Sequence, residues 1–250
     1  MTHTLPPCPI EAVHASEETS KKYGFVSTRC ILDALKDEGF TPTKTNIARA
    51  NKPERAGFQR HTIRLAHNGL LPSLDSIGRP EIVLRNSHDA RSSLAMTLGF
   101  YVKICSNGLV ASQAAFSERV VHRAVTTDAA VQMALNIAKM SPVMQNSICS
   151  MRSHEMERHN VRRFVSMAAA LRYPDPTDYQ LTLLNRARRT EDEGDTLWQV
   201  FNRVQENLTK GVRAQPGERG IRKVTGVGRD FVLNKKLWSL AEGVLLWQLN

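Results

Sequence analysis

The sequence has few aromatic residues, few cysteines and no long hydrophobic run. No window approaches the roughly 18 consecutive apolar residues of a membrane helix, and no basic stretch followed by an apolar one opens the chain, so we expect a cytoplasmic protein without a membrane partner. The four cysteines, Cys8, Cys30, Cys105 and Cys149, form no C-x-x-C pair, which argues against a zinc site or a disulfide framework. Only 6% of the residues are Phe, Trp or Tyr, which limits binding by aromatic stacking.

Complete catalytic motifs are also missing. Residues 154–159 read HEMERH, but His154 and His159 are five positions apart rather than the four that place two zinc ligands on one helix face. We therefore predict a surface helix for this segment. The glycines of 217–220 and 226–228 lack the lysine and the serine or threonine of a phosphate-binding loop, which argues against a nucleotide hydrolase.

Two polar corners lie near the middle of the chain. The first is Asn86-Ser87-His88-Asp89, after the β-forming run 81–84, and the second is Cys105-Ser106-Asn107-Gly108, after the run 100–104. Because Asn, Asp and Gly close tight turns, both corners are interpreted as turns of a hairpin. They leave open one enzymatic alternative, a cysteine-histidine hydrolase that uses Cys105 and His88. A buried Cys105 would be an inert hydrophobe, so we assign no catalytic residue, metal or cofactor.

Positive charge is concentrated in two regions. Thirty-four basic and 24 acidic side chains give a formal net charge of +10, which favours polyanionic partners. Residues 41–67 hold six cations and one carboxylate, and residues 210–236 hold eight cations and two carboxylates. Six cations on one hairpin can follow a phosphate backbone. The predicted nucleic-acid contacts are Lys44, Arg49, Lys52, Arg55, Arg60 and Arg64, with His61 and His88 as secondary candidates.

Hydrophobic periodicity predicts an α+β fold, in which an antiparallel sheet with a long basic hairpin is covered by helices and followed by a helical C-terminal part. Strands are predicted at 43–50, 58–66, 81–85 and 94–104. Helices are predicted from an N-cap at Thr28 to Gly39, from 127 to before Pro142, at 152–172, at 197–208 and at 231–247. The predicted domains are a flexible segment 1–20, an α+β core 21–172 and a helical region 173–250 with a basic linker.

Several separated motifs carry a family resemblance. They are Val26-Ser27-Thr28-Arg29, His61-Thr62-Ile63-Arg64-Leu65, the two polar corners, Leu197-Trp198-Gln199-Val200-Phe201-Asn202 and Val204-Gln205-Glu206-Asn207. In this order they resemble the phage and plasmid family catalogued as domain of unknown function 932. The resemblance implies a mobile-element protein in a bacterial host cell and attaches no chemistry to it.

The predicted order of a helix, a basic hairpin, two further strands and a covering helix also resembles single-strand annealing proteins of the eukaryotic Rad fifty-two type and their phage relatives. We therefore hypothesise an oligomeric ring or filament that binds or anneals single-stranded DNA in recombination, through phosphate contacts. The alternative is an inhibitor or regulator of a host defence system, whose basic patches would bind an acidic protein surface.

Overall fold

The computed structural model of the chain describes residues 7–74, 77–102, 108–110, 117–120, 122, 126–225 and 229–247. The chain forms two compact units: the first comprises residues 1–108 and 113–141, and the second comprises residues 109–112 and 142–250. In the described residues, the first unit combines an antiparallel sheet with helices, and the second is mainly helical. The α+β fold class predicted from the sequence is confirmed.

The first unit is built on an antiparallel sheet. Its strands are β1 (Thr41–Ile47), β2 (His61–Ala66), β3 (Gly78–Asn86), β4 (Leu94–Val102) and β6 (Ser117–Val120), whereas two of the three residues of β5 (Gly108–Val110) belong to the second unit. Within the first unit the strand order is β1-β2-β3-β4-β6. The predicted basic hairpin is formed by β1 and β2, which are joined by residues 48–60. Ile63 pairs with Leu84, and Leu84 with Met96, so these fully buried side chains form one row on the apolar face.

Two helices pack on the apolar face of the sheet. Helix α1 (Thr28–Asp37) begins after Ser27, whose hydroxyl accepts a hydrogen bond from the backbone N–H of Cys30, so the N-cap lies one residue earlier than predicted. The chain turns away from α1 at Gly39, where a φ of +87° favours glycine. Helix α2 (Thr127–Ala138) packs against β3, β4 and β6, which is the covering position expected from its apolar stripe.

Residues 7–23, which include much of the segment 1–20 predicted to be flexible, contact the rest of the first unit. Ile10 and Ser16 are buried, and the backbone N–H of Ser16 donates to the carbonyl of His88 at 2.9 Å. The ring of His14 lies 5.4 Å from that of Phe58. These contacts bring the N-terminal segment over the end of the β1–β2 connection.

The second unit consists mainly of helices. They are α3 (Ser141–Ser153), α4 (Arg158–Ala170), α5 (Asp178–Asn185), α6 (Leu197–Lys210) and α7 (Arg229–Trp247). The sequence analysis missed α3 because it treated Pro142 as a stop signal, whereas proline is tolerated in a first helical turn, where its missing N–H has no intrahelical partner. None of the described helices combines the length and the apolar character needed to cross a bilayer.

The surface helix predicted for residues 154–159 is wrong. These residues include the break between α3 and α4, and Glu155 forms a β-bridge with Thr196. The carbonyl of His154 accepts from the N–H of Leu197 at 2.8 Å, and the N–H of Met156 donates to Asp195 at 2.9 Å. Backbone groups that would continue a helix are therefore used to hold the start of α6.

Helix α6 is the central structural element of the second unit. A capping box joins Thr196 and Gln199 at its start, and the predicted apolar series is buried, which confirms the core-packing interpretation. Its polar side is buried as well. The Asn207 amide nitrogen donates to the carbonyls of Leu183, Leu184 and Arg186 at 2.8–3.0 Å, and Arg203 binds carbonyls of the loop before the helix. The helix thus fixes the C-terminal end of α5 and the loop before α6 through side-chain hydrogen bonds.

Candidate nucleic-acid interface

Alternation along the strands places basic side chains on the sheet face opposite the apolar row. Lys44 pairs with Arg64 across β1 and β2, and both Arg85 and Arg119 pair with Ala95 of β4. Paired residues share a side of the sheet, so these cations lie on one face. Arg60 is an even number of positions from Arg64, and Arg79 is an even number of positions from Arg85. Alternation along an extended chain therefore places them on the same face. We use the name basic face for Lys44, Arg60, Arg64, Arg79, Arg85 and Arg119.

A buried carboxylate organises one part of the basic face. Glu81 is 1% exposed and accepts hydrogen bonds from Arg64 Nε at 2.5 Å, Arg79 Nε at 2.8 Å and the Thr43 hydroxyl at 2.9 Å. The Arg64 guanidinium carbon also lies 3.2 Å from the centre of the Tyr101 ring. Two guanidinium groups share one carboxylate, so this part of the face keeps a net positive charge.

Arg85 lies among like charges on the same face. Burial lowers the pKa of Arg85, and the positive charges of Arg60 and Arg119 lower it further. An arginine remains protonated at neutral pH despite such a shift, so the three guanidinium groups keep their charges close together. A bound anion would relieve this repulsion, which makes the cluster a physically reasonable phosphate contact.

The remaining predicted cations lie on the connection between β1 and β2. Arg49 and Lys52 are exposed. The Arg55 side chain is only 13% exposed and forms an ion pair with Glu18 of the N-terminal segment at 2.8 Å. Arg55 therefore ties the connection to residues 7–23, whereas Arg49 and Lys52 present their charges to solvent.

The two predicted histidines lie on the opposite side of the sheet, in a buried polar cluster. We name Thr28, His61, Asn86 and His88 the Thr28 cluster, and all four residues are 0% exposed. The Thr28 hydroxyl oxygen lies 2.9 Å from His61 Nε2, 3.2 Å from His88 Nε2 and 3.0 Å from the Asn86 amide nitrogen. The structure therefore separates both histidines from the basic face.

The proton positions in the Thr28 cluster follow from its donors and acceptors. His61 Nδ1 lies 3.1 Å from the carbonyl of Gln59, which can only accept, so we assign the proton of the neutral His61 ring to Nδ1. His61 Nε2 then accepts from the Thr28 hydroxyl. That hydroxyl has a single hydrogen, so its oxygen accepts from the Asn86 amide and from His88 Nε2–H. One donated and two accepted bonds complete the capacity of the Thr28 hydroxyl.

The cluster requires neutral imidazole rings. Burial, together with the neighbouring His61 and His122, lowers the pKa of His88 to about 3, against an opposing effect of the Pro9 carbonyl. Burial also lowers the pKa values of His61 and His122, and backbone carbonyls oppose both shifts. In the folded chain the His61 and His88 rings therefore act as neutral hydrogen-bonding groups of the core.

Sequence reasoning missed Arg79, Arg85 and Arg119 as members of the basic face. For the two residues of β3 a signal existed, because Arg79 and Arg85 alternate with apolar positions of the strand. Arg119 depends on the pairing of β6 with β4, for which the sequence gives no sign. Cys105, on which the hydrolase alternative depends, lies outside the described residues. Among the described residues, no group of three or more His, Cys, Asp or Glu side chains is placed to hold a metal ion.

Comparison with known proteins identifies a family whose matched region includes both the basic face and the Thr28 cluster. A model described as "Domain of unknown function (DUF932)" matches residues 15–238. The chain belongs to the DUF932 family. It is 32% identical over 241 residues to UPF0380 protein YfjQ of Escherichia coli strain K12, covering 94% of this chain and 86% of the relative. It is 31% identical over 236 residues to UPF0380 protein YafZ of the same strain, covering 92% and 85%.

The family model and the two relatives confirm the sequence-based assignment to the family. No solved structure matches this DUF932 chain. The matched region contains every residue of the basic face and of the Thr28 cluster.

Proposed function

We propose that this DUF932 chain binds single-stranded nucleic acid on the basic face of its first unit, and that it works as an oligomeric single-stranded DNA binder or annealer in recombination of a phage or plasmid. The observation that carries the proposal is the concentration of six cations on one sheet face, where the carboxylate of Glu81 is buried beneath two of them. Such a surface attracts a polyanion and repels basic partners.

Phosphate contacts supply the affinity in this proposal. Arg85 and Arg119 flank β4, so their backbones lie about 10 Å apart, given a strand spacing of about 4.8 Å. Cations on neighbouring β-strands can therefore contact successive phosphates of one nucleic-acid strand. Tyr101 is 9% exposed and has the Arg64 guanidinium against its ring, so it offers no open ring for base stacking. Binding is then tolerant of sequence and sensitive to salt.

The Thr28 cluster does not contribute to this surface. His61 and His88 were secondary candidates for phosphate or base contacts, but their complete burial leaves them without access to a strand in the folded chain. The proposed contacts are therefore the basic face together with the exposed Arg49 and Lys52 of the connection. Arg55 supports them by holding that connection in place.

The decisive experiment compares two double variants. One removes two exposed charges from the basic face, and the other removes two exposed charges from the helical side. Lys44→Gln with Arg119→Gln alters the face, and Lys36→Gln with Lys139→Gln is the control, because all four side chains are exposed and both pairs lower the net charge equally. Binding of a fluorescent single-stranded oligonucleotide is measured by anisotropy at several salt concentrations. We expect the face variant to lose affinity and about 1.4 units of the logarithmic salt slope, because each lost single-strand phosphate contact removes about 0.7.

Equal affinities and slopes in the two double variants would reject the basic face as the contact surface. Light scattering with and without the oligonucleotide tests the oligomeric part of the proposal, since an annealer needs a complex larger than one protomer on each strand. The three-residue variant Arg55→Ala, Arg60→Ala, Arg64→Ala is a weaker test, because Arg55 and Arg64 also form ion pairs within the fold.

A protein partner is the second candidate. The observation that favours it is the covered ring of Tyr101, because protein surfaces that bind single-stranded nucleic acid commonly include exposed aromatic rings. In this case the basic face binds an acidic surface of a host protein, and the chain acts as an inhibitor or regulator. Competition distinguishes the two: short single-stranded DNA displaces an acidic protein partner only if both use the basic face.

A further inference from the structure

The second unit has a cationic recess that the proposed interface does not use. Its volume is about 270 Å³, and its lining includes Arg172, Lys223, Arg229 and Lys236 together with aliphatic side chains. No acidic side chain is among its described lining residues. Two features therefore meet here: four positive charges and an apolar wall.

One wall of the recess is a single face of α7. Arg229, Val232, Leu233 and Lys236 are spaced i, i+3, i+4 and i+7, which places them along one side of a helix. Val232 is 53% exposed, which is high for a β-branched aliphatic residue, whereas Leu233 is buried beside it. The charges at the two ends of this face enclose an apolar centre.

The facing wall is held by hydrogen bonds to the backbone. Arg172 Nη1 donates to the carbonyls of Leu208 and Arg222, which fixes the guanidinium at the edge of the recess. The N–H of Arg222 donates to the Tyr173 hydroxyl at 3.1 Å, and the N–H of Val224 donates to the Thr209 carbonyl at 2.9 Å. Lys223 lies between these two anchored residues, so its position at the recess is preorganised.

The cations of the recess are available to a ligand. Lys223, Arg229 and Lys236 are exposed, and none of the three forms an ion pair with a described carboxylate. Converging cations without a carboxylate favour a group with several negative oxygens, for which phosphate is the common biological example. The aliphatic side chains favour a ligand that also carries a flat or apolar part.

The volume restricts the ligand further. Sites for drug-sized ligands occupy about 300–1,000 Å³, so a recess of about 270 Å³ suits one small organic anion. We infer that this recess binds the phosphate of a single nucleotide, with the sugar and base against Val232 and Leu233. The nucleotide is either free or the phosphorylated end of a DNA strand. This site is separate from the basic face, and its existence does not depend on the function proposed above.

Calorimetric titration of the full chain tests the site. The probes are deoxyadenosine monophosphate, deoxyadenosine and inorganic phosphate, each titrated into the original chain, Lys223→Gln with Lys236→Gln, and the control Arg158→Gln with Arg213→Gln. The control removes two exposed charges from the second unit outside the recess. We expect the monophosphate to bind more tightly than either fragment, to lose about tenfold or more in affinity in the recess variant, and to be unaffected in the control.

A second variant tests the apolar wall. Val232→Asp places a carboxylate in the recess and is expected to abolish binding of the monophosphate, whereas Val232→Ala retains it. Absence of monophosphate binding to the original chain, or equal affinity in the original chain and the recess variant, would overturn the inference. So would deoxyadenosine binding as tightly as the monophosphate.

Two oligonucleotides distinguish the sources of the nucleotide. If the ligand is a strand end, a 5′-phosphorylated oligonucleotide binds more tightly than its 5′-hydroxyl counterpart, and the Lys223→Gln, Lys236→Gln variant removes the difference. If the ligand is a free nucleotide, the two oligonucleotides bind alike while the monophosphate still binds. Loss of oligonucleotide binding in the Lys44→Gln, Arg119→Gln variant with retained monophosphate binding would separate this site from the basic face.

Discussion

Acidification from pH 7 to pH 5 should selectively destabilise the first unit, because the Thr28 cluster holds its histidines in the neutral form. Burial and the neighbouring His61 and His122 lower the pKa of His88 to about 3 in the folded chain, whereas an unfolded histidine has a pKa of about 6.5. Between these two values the unfolded chain binds the proton and the folded chain does not. Stability is therefore highest above about pH 6.5 and falls as the pH decreases towards 3.

The size of the effect follows from the same pKa values. At pH 5 the unfolded His88 is 1.5 units below its pKa, and each unit corresponds to about 1.4 kcal/mol, so His88 alone lowers the free energy of unfolding by about 2 kcal/mol relative to pH 7. The pKa values of His61 and His122 are lowered in the same direction and add to this loss. The chosen interval stays above the ordinary pKa range of carboxylates.

The assay can separate the two units because all three tryptophans, Trp198, Trp238 and Trp247, belong to the second unit. Urea unfolding is followed by tryptophan fluorescence for the second unit and by far-ultraviolet circular dichroism for both units. The variant His88→Gln removes the titrating ring and keeps an N–H donor for Thr28. The control His159→Gln removes a histidine whose side chain is 71% exposed.

For each variant, the free energy of unfolding at pH 5 is subtracted from that at pH 7, so that any packing defect caused by the substitution cancels. We expect this acid-induced loss to be about 2 kcal/mol smaller in His88→Gln than in the original chain. His159→Gln should leave the loss unchanged. An acid-induced loss in His88→Gln equal to that of the original chain would refute the assignment of a buried neutral His88.

Two further predictions concern buried polar groups. Glu81→Gln should destabilise the first unit by about 3 kcal/mol, because it leaves Arg64 and Arg79 without their shared carboxylate; the same variant should bind single-stranded DNA more tightly in anisotropy measurements, and weaker binding would contradict the proposed interface. Asn207→Leu should destabilise the second unit by about 2–4 kcal/mol, because it leaves three carbonyls at the C-terminal end of α5 without their donor. Tryptophan fluorescence during urea unfolding measures this second effect, and an unchanged midpoint would show that this end of α5 is held by other contacts.

Local pattern was enough to predict most elements of the fold. Ile63 and Leu65 alternate with Thr62 and Arg64, which gave the second strand of the basic hairpin, and the apolar series after Leu197 gave α6. The errors arose where one residue has two structural uses. Pro142 can end a helix or lie in its first turn, and the choice depends on packing that a local pattern does not contain.

The candidate site was only partly predictable because the basic face depends on strand pairing. The cations of the hairpin were visible as a charge cluster, but the register that sets Arg85 and Arg119 on either side of Ala95 joins three separate segments. His88 lies in a corner that was interpreted as a turn, and its hydrogen bond to Thr28 crosses 60 positions of the chain. A neutral buried histidine and a phosphate-binding histidine look the same in a sequence.

The buried polar side of α6 has a consequence for genetics. Arg203 and the motif residue Asn207 of this helix bind backbone carbonyls of neighbouring segments and contact no proposed ligand. A screen for inactive alleles would therefore recover many substitutions in α6, because they lower the amount of folded protein in the cell. Alleles that retain normal protein levels would be the informative ones, and these should map to exposed cations instead.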